Sequence, residues 1–206
     1  MENIAFTGLY CLICGLLLQL SSHPPTVVVI FHQNHTEKLN HRLKKCRKCN
    51  RLYHYSHYTV PHETFLGFPA KYFYDDTLEK KYFLTTSCTG FTLEFMQTYT
   101  SEIFLIPEMS FYGKSNSFNL SVETGNIALE PKRLADSFFL FSLLSMLKFY
   151  HKPIHELKFA SDVDANITFY LNHIKSGFVE LSCKHRCGTP GCGTCVGWDA
   201  DCKASF

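Results

Sequence analysis

The sequence has almost no net charge: +2 from 20 basic and 18 acidic residues, a balance that argues neither for nor against an anionic partner. It also lacks a continuous apolar run of about 20 residues. The nearest candidate, Leu134 to Tyr150, is shorter and contains Asp136 and Lys148, so no membrane span is expected. No Lys or Arg precedes the apolar stretch Leu9 to Leu20, which removes the positive start of a signal peptide. There is no internal repeat or low-complexity tract, and so no sign of a repeat array. No third acidic residue joins Asp75-Asp76 or Asp162-x-Asp164 at a spacing that makes a two-metal site, and these read as surface and helix-start acids. None of the 11 histidines has the spacing of a catalytic zinc motif, and Cys88 reads as a core residue rather than a nucleophile. An enzyme, or a site for a small-molecule substrate, is therefore not expected.

What the chain does have is apolar material and sulfur. With 206 residues, 46% hydrophobic and 15% aromatic, it can bury one sizeable core or two small ones. Nine of its ten cysteines fall in two groups near the ends. The first group is Cys11-Leu-Ile-Cys14-Gly15 and Cys46-Arg-Lys-Cys49, two pairs of the same two-residue spacing with 31 residues between Cys14 and Cys46. Zinc takes four thiolate or imidazole ligands in a tetrahedron, and each such pair delivers two sulfurs from one tight turn, so Cys11, Cys14, Cys46 and Cys49 are expected to hold one zinc ion. Binding of structural zinc contributes about 10 to 16 kcal/mol in small finger peptides, enough to hold a unit too small to be stable through burial alone.

The rival reading is a secreted, glycosylated, disulfide-bonded protein. Leu9 to Leu20 has the length of a signal-peptide core, Ser21 and Ser22 offer a cleavage region, and Asn34, Asn119 and Asn166 begin Asn-x-Ser/Thr sequons. The two readings exclude each other, because a cut near Ser22 discards Cys11 and Cys14.

The second group is Cys183-Lys-His185-Arg-Cys187-Gly-Thr-Pro-Gly-Cys192-Gly-Thr-Cys195, with Cys202 following. A second zinc site there would use four of these six residues; the favoured set is Cys183, Cys187, Cys192 and Cys202, with Cys195 and His185 as substitutes. The chain stops four residues after Cys202, which leads to the expectation of a truncated gene product.

Around the second knuckle, Arg42, Lys44, Lys45, Arg47, Lys48 and Arg51 precede or flank Tyr53, Tyr55 and Tyr58. Cations that displace phosphate counterions, beside rings that can stack on bases, make a candidate nucleic-acid surface. The alternative is a solvated basic face.

Periodicity places the remaining elements. Thr26 to Phe31 is a β-branched run entered through Pro24-Pro25 and reads as a strand. Leu52 to Phe83 is broken by Pro61, Gly67 and Pro69 and reads as short strands and loops. Helices are expected near 89–105, with a Phe91, Phe95, Tyr99, Ile103 stripe ended by Pro107; near 131–150, opened by Pro131; and near 162–175, with a Val163, Ile167, Leu171, Ile174 face and Gly177 as its cap. A strand over 178–181 would lead into the last cysteines. The fold class is thus α+β: a zinc-ribbon-like unit at 1–60, a mostly helical middle region at 61–181, and a cysteine cluster at 182–206.

Taken together, the segments CLICG, PPTVVVIF, KCRKCNRLYHYSHYT, YFLTTSCTGFTLEFMQTYTSEIF, FYGKSNSFNL, RLADSFFLFSLLSMLKFY and CKHRCGTPGCGTC resemble the CxC-type cysteine-cluster domains found beside KDZ (Kyakuja-Dileera-Zisupton) transposases, over nearly the whole chain. The resemblance implies zinc chelation by both cysteine groups and origin in a mobile element. It implies an accessory part of a transposase, or a domesticated or truncated descendant. Its partners would be DNA or chromatin and a transposase catalytic domain, and its location nuclear. Nothing in the sequence corresponds to the acidic catalytic core of such a transposase.

Overall fold

The computed structural model describes residues 2–106, 110–122 and 127–172. Residues through Ile167 form one compact unit, and a second begins at Thr168. The strands, in chain order, are β1 (Asn3–Ile4), β2 (Gln19–Leu20), β3 (Thr26–Phe31), β4 (Thr36–His41), β5 (Lys44–Lys45), β6 (Leu52–Tyr53), β7 (His57–Phe65), β8 (Phe68–Phe73), β9 (Tyr82–Leu84), β10 (Thr89–Thr92) and β11 (Phe159–Ala160). The helices are α1 (Leu93–Leu105), α2 (Phe111–Ser121) and α3 (Pro131–Phe149), and residues 163–172 are also helical. Helices and strands therefore coexist, as an α+β reading requires. The strands form two sheets, one of five strands in the order β1-β4-β3-β10-β9 and one of six in the order β11-β8-β7-β6-β5-β2.

The five-stranded sheet carries the aromatic core. Val28, Ile30 and Leu39 are fully buried with Tyr82 and Leu84, while Phe31 stacks on Phe91 at 5.2 Å and meets Phe118 of α2 edge-on at 5.7 Å. Ring pairs at these separations add to simple area burial. Gly90 sits opposite both Ile30 and Leu84 in the middle of this sheet. A Cβ there would come within 2.4 Å of the Leu84 side chain and 2.8 Å of Ile30, so only glycine lets those two side chains close over the strand.

Helix α1 begins at Leu93, four residues later than the periodicity suggests. Thr89 to Thr92 pair in register with β3 and β9, and the Thr92 hydroxyl accepts the Phe95 N–H at 3.1 Å as an N-cap. The Phe95 and Tyr99 part of the expected stripe is fully buried on the helix, whereas Phe91 is a strand residue. Helix α2, capped by Ser110, has no clear apolar face in its sequence and buries only Ser115 and Phe118. Helix α3 starts with Pro131 at its first turn and buries Leu134, Ser137, Leu140, Phe141, Leu143, Leu144 and Leu147, a broad helical face.

The middle region contains a helix, α2, that the periodicity does not suggest. β7 crosses the proposed boundary at residue 60, and β7 and β8 form a hairpin whose turn residues Leu66 and Gly67 have φ of 54° and 82°, the left-handed pair of a type I′ turn. On the last helical stretch Asn166 is buried and Leu171 is exposed, so the face differs from the apolar stripe read from spacing. Gly177, Ile174 and the strand expected over 178–181 lie outside the described residues. Among the described residues, no helix is long and apolar enough to cross a membrane.

Candidate metal centre

Both two-residue cysteine pairs sit at the β2-β5-β6 end of the six-stranded sheet. The first is the tip of a small hairpin closed by a bridge between Tyr10 and Leu17, from which the chain passes into β2. The second links β5 to β6, and β2 pairs with β5 through Gln19 opposite Lys45 and Leu20 opposite Lys44. The two turns repeat one backbone design. Cys11 N–H donates to Leu16 O at 2.8 Å, and Cys46 N–H donates to Arg51 O at 3.0 Å, each five residues on. The residue after the second cysteine is left-handed in both, Gly15 with φ 68° and Asn50 with φ 55°, a conformation that glycine and asparagine tolerate best.

This repetition aims four sulfurs at one point. Cys14 Sγ lies 3.6 Å from Cys46 Sγ and Cys11 Sγ lies 4.0 Å from Cys49 Sγ, with all four within 4.8 Å of one another. A tetrahedron with metal–sulfur bonds of about 2.3 Å has sulfur–sulfur edges of about 3.8 Å, whereas a disulfide needs about 2.05 Å. The arrangement therefore fits a divalent ion of tetrahedral, sulfur-loving character at its centre. Cys11 and Cys46 are 3% and 0% exposed, and Cys14 and Cys49 are half-buried.

The surroundings of Cys11 favour thiolate over thiol. Tyr53, fully buried on β6, accepts the Leu12 N–H at 3.2 Å and so directs its own hydroxyl proton to Cys11 Sγ, 3.1 Å away. Burial opposes ionisation of Cys11, but the Tyr53 hydroxyl and the Cys14 and Ile13 amides outweigh it and bring its pKa down to about 6. The Leu16 amide pulls Cys14 the same way, yet the Cys49 thiol, burial and Cys11 together push it up. Four sulfurs this close cannot all ionise without a cation among them. Cys49 N–H donates to Cys46 Sγ at 3.4 Å, and the Arg51 guanidinium stands beside Cys49 with its carbon 5.7 Å from the Tyr58 ring centre.

The basic segment is divided between side chains bonded to neighbouring backbone or side-chain groups and side chains open to solvent. Lys44 Nζ donates to Gly8 O at 2.9 Å, Arg42 Nε donates to Asn3 Oδ1 at 3.1 Å, and Arg51 faces the sulfur cluster. Tyr53 and Tyr58 are buried and Tyr55 is half-buried, so these rings belong to the core rather than to a stacking platform. Lys45, Arg47 and Lys48 are exposed around the second knuckle, as is Arg42 before it.

Other expectations resolve as follows. Cys88 is exposed, at the turn before β10, and not a core residue. Asp75 and Asp76 open a 3-10 turn at the surface, where Asp75 meets His155 at 2.5 Å and Asp76 meets Lys80 at 3.2 Å. Among the described residues, the four cysteines are the one group of three or more side chains placed to share a metal. The proposed second site, Cys183, Cys187, Cys192 and Cys202 with Cys195 and His185, lies outside the described residues.

Sequence reasoning missed Tyr53 as a sulfur partner, taking its ring for a base-stacking surface. It also missed the buried histidines. His41 accepts the Tyr55 N–H at 3.2 Å, and His54 stacks on His57 with ring centres 4.4 Å apart; burial depresses the pKa of all three. His41 ends β4 on its inward side and His57 opens β7, a placement set by strand register that the spacing of histidines alone does not reveal. Compared with known protein families, curated proteins and solved structures, the chain matches none.

Proposed function

We propose that this chain is a non-enzymatic zinc-binding module in which Cys11, Cys14, Cys46 and Cys49 hold one structural ion. The observation that carries the reading is the convergence of two like-built turns on a four-sulfur cluster of tetrahedral dimensions. An all-thiolate set leaves no open coordination position for substrate, which fits a binding role better than catalysis. The resemblance to cysteine clusters beside KDZ transposases supplies the wider reading: an accessory part of such a transposase or a descendant, intracellular and nuclear, with DNA, chromatin or a protein as partner. The exposed cations Lys45, Arg47 and Lys48 would serve it.

Two observations support this reading over a secreted, cleaved form. Residues before Ser22 supply β1, β2, half of the sulfur cluster and the buried Phe6 and Leu18, all of which a cut there would remove. Asn166, the start of one sequon, is 1% exposed; its amide accepts the Ala160 N–H and donates to Ala160 O and Asp162 O, leaving no room for a glycan.

The test is zinc per polypeptide after expression in a reducing cytosol. The expected result is at least one ion, with one lost in Cys46→Ser together with folding of the knuckle end. A wild-type chain that binds no zinc, or native protein with these thiols paired as cystines, overturns the reading. DNA binding, if present, is expected to be salt-sensitive and to weaken when Lys45, Arg47 and Lys48 are replaced by Ala.

A further inference from the structure

The two knuckles share a backbone and differ in what they show to solvent. The second presents Lys45, Arg47 and Lys48. The first presents Leu9, Tyr10, Leu12, Ile13, Leu16 and Leu17, with Leu12 and Ile13 at the tip 57% and 55% exposed. Single exposed leucines need no explanation, but a contiguous apolar tip rimmed by polar groups marks an interaction site. Leu20, also exposed, continues this strip to the cleft that it lines with Lys45 and Arg47, so the apolar and cationic parts adjoin.

Three features select among the kinds of partner. Neighbours on an extended arm point to opposite sides, yet Leu9 with Tyr10 and Leu16 with Leu17 are all exposed, as are Leu12 and Ile13 in the turn, so both faces of the hairpin carry apolar groups. A flat protein face or a bound peptide covers one side; a fluid apolar medium covers both. Four of the hairpin's N–H groups are paired away from water: Cys11 to Leu16 O, Gly15 to Cys11 O and Leu18 to Leu9 O within the hairpin, and Leu12 to the Tyr53 hydroxyl. Each paired group lowers the cost of entering a medium without water. Finally, a like-with-like pairing of two copies would set Lys45, Arg47 and Lys48 against themselves, and a nucleic-acid duplex would engage the cations while leaving the leucines in water.

We propose that the first knuckle inserts into the interfacial layer of an anionic lipid bilayer, with Leu12 and Ile13 deepest, Tyr10 at the headgroup level and Lys45, Arg47 and Lys48 against acidic headgroups. The inference rests on the metal-held fold proposed above and goes beyond it, since neither the zinc reading nor the DNA reading uses the apolar tip.

The experiment is co-sedimentation of the full zinc-loaded chain with vesicles of phosphatidylcholine alone and of phosphatidylcholine mixed with phosphatidylserine, with zinc content measured on every variant. The expected result is binding to the mixed vesicles and little to the neutral ones. Leu12→Asp and Ile13→Asp should each lower partition by about tenfold or more, by losing burial and adding a repelled charge. Each of Lys45→Ala, Arg47→Ala and Lys48→Ala should lower it about fivefold, and less at high salt. All five variants should keep the wild-type zinc content. No partition into the mixed vesicles, or partition that Leu12→Asp and Ile13→Asp leave unchanged, overturns the proposal. So does a dimer, seen by sedimentation, that those two substitutions dissolve. DNA binding with no vesicle partition assigns the cations to nucleic acid and also overturns it. Partition with the stated sensitivities by a chain that holds no zinc leaves the docking standing and removes the metal reading.

Discussion

The two sheets are held together by different means. The five-stranded sheet is a conventional interior, where Phe31, Phe91, Phe95 and Phe118 interlock and Gly90 lets strands close on each other. The knuckle end of the six-stranded sheet has only two-residue strands, β2, β5 and β6, and its buried cluster is built from Phe6, Leu18, Tyr53, Tyr58 and Tyr74 around the cysteines. Strands that short supply few ladder hydrogen bonds, so the knuckle end depends on what joins the four sulfurs, while the other sheet depends on packing density. The difference teaches where each kind of damage should be felt.

The largest effect is expected from removing the metal. Chelation should abolish hydrogen-exchange protection of the Cys11, Gly15 and Cys46 amides and leave the β3, β4 and β10 amides protected; uniform loss across both sheets would show that they are one cooperative unit. Next comes Phe91→Ala, which should cost about 3 to 5 kcal/mol in denaturant titration without lowering zinc content of the folded fraction. Zinc loss in parallel with that destabilisation would erase the distinction.

A graded effect should follow acidification. His54 is depressed to about 3 by burial, with His41 and Lys71 nearby adding to it, and His57 and His41 are also lowered by burial. Their folded pKa values lie below the unfolded value of about 6.5, so the unfolded chain binds protons first. Stability from these groups is complete above about pH 6.5 and is lost as pH falls from there toward about 3. His54→Gln should flatten that slope, measured by thermal melts at pH values where a chromophoric chelator shows zinc still bound. An unchanged slope would place the acid sensitivity in the thiolates.

The smallest effect is expected from Tyr53→Phe. It deletes the hydroxyl shared by Cys11 Sγ and the Leu12 N–H and should cost about 1 to 2 kcal/mol, with weaker zinc retention in competition with a chelator. No change in retention would reduce Tyr53 to a packing residue.

Much of this was legible in the chain because the signals are local. C-x-x-C spacing fixes a tight turn, Thr26 to Phe31 reads as a strand from its β-branched run, and Pro131 opens α3. What escaped depended on partners far away in sequence. Thr89 to Thr92 has the spacing of a helix start but is claimed by β3 and β9 on either side. The Tyr53 and Tyr58 rings beside a basic run looked like a stacking surface until strand pairing turned them inward. Asn166, absent from the expected apolar face, is buried because it ties the helix start to the β11 backbone. Cys88 is exposed because it lies in the turn that joins β9 to β10.

The route of the chain between the two half-sites has a temporal consequence. Cys14 and Cys46 stand thirty-two positions apart, and between β2 and β5 the intervening segment is the β3–β4 hairpin of the other sheet. As the polypeptide leaves the ribosome, the first two sulfurs emerge well before their partners and wait through an entire hairpin. An ion held by all four sulfurs could therefore close the site only after the whole hairpin between them had been synthesised.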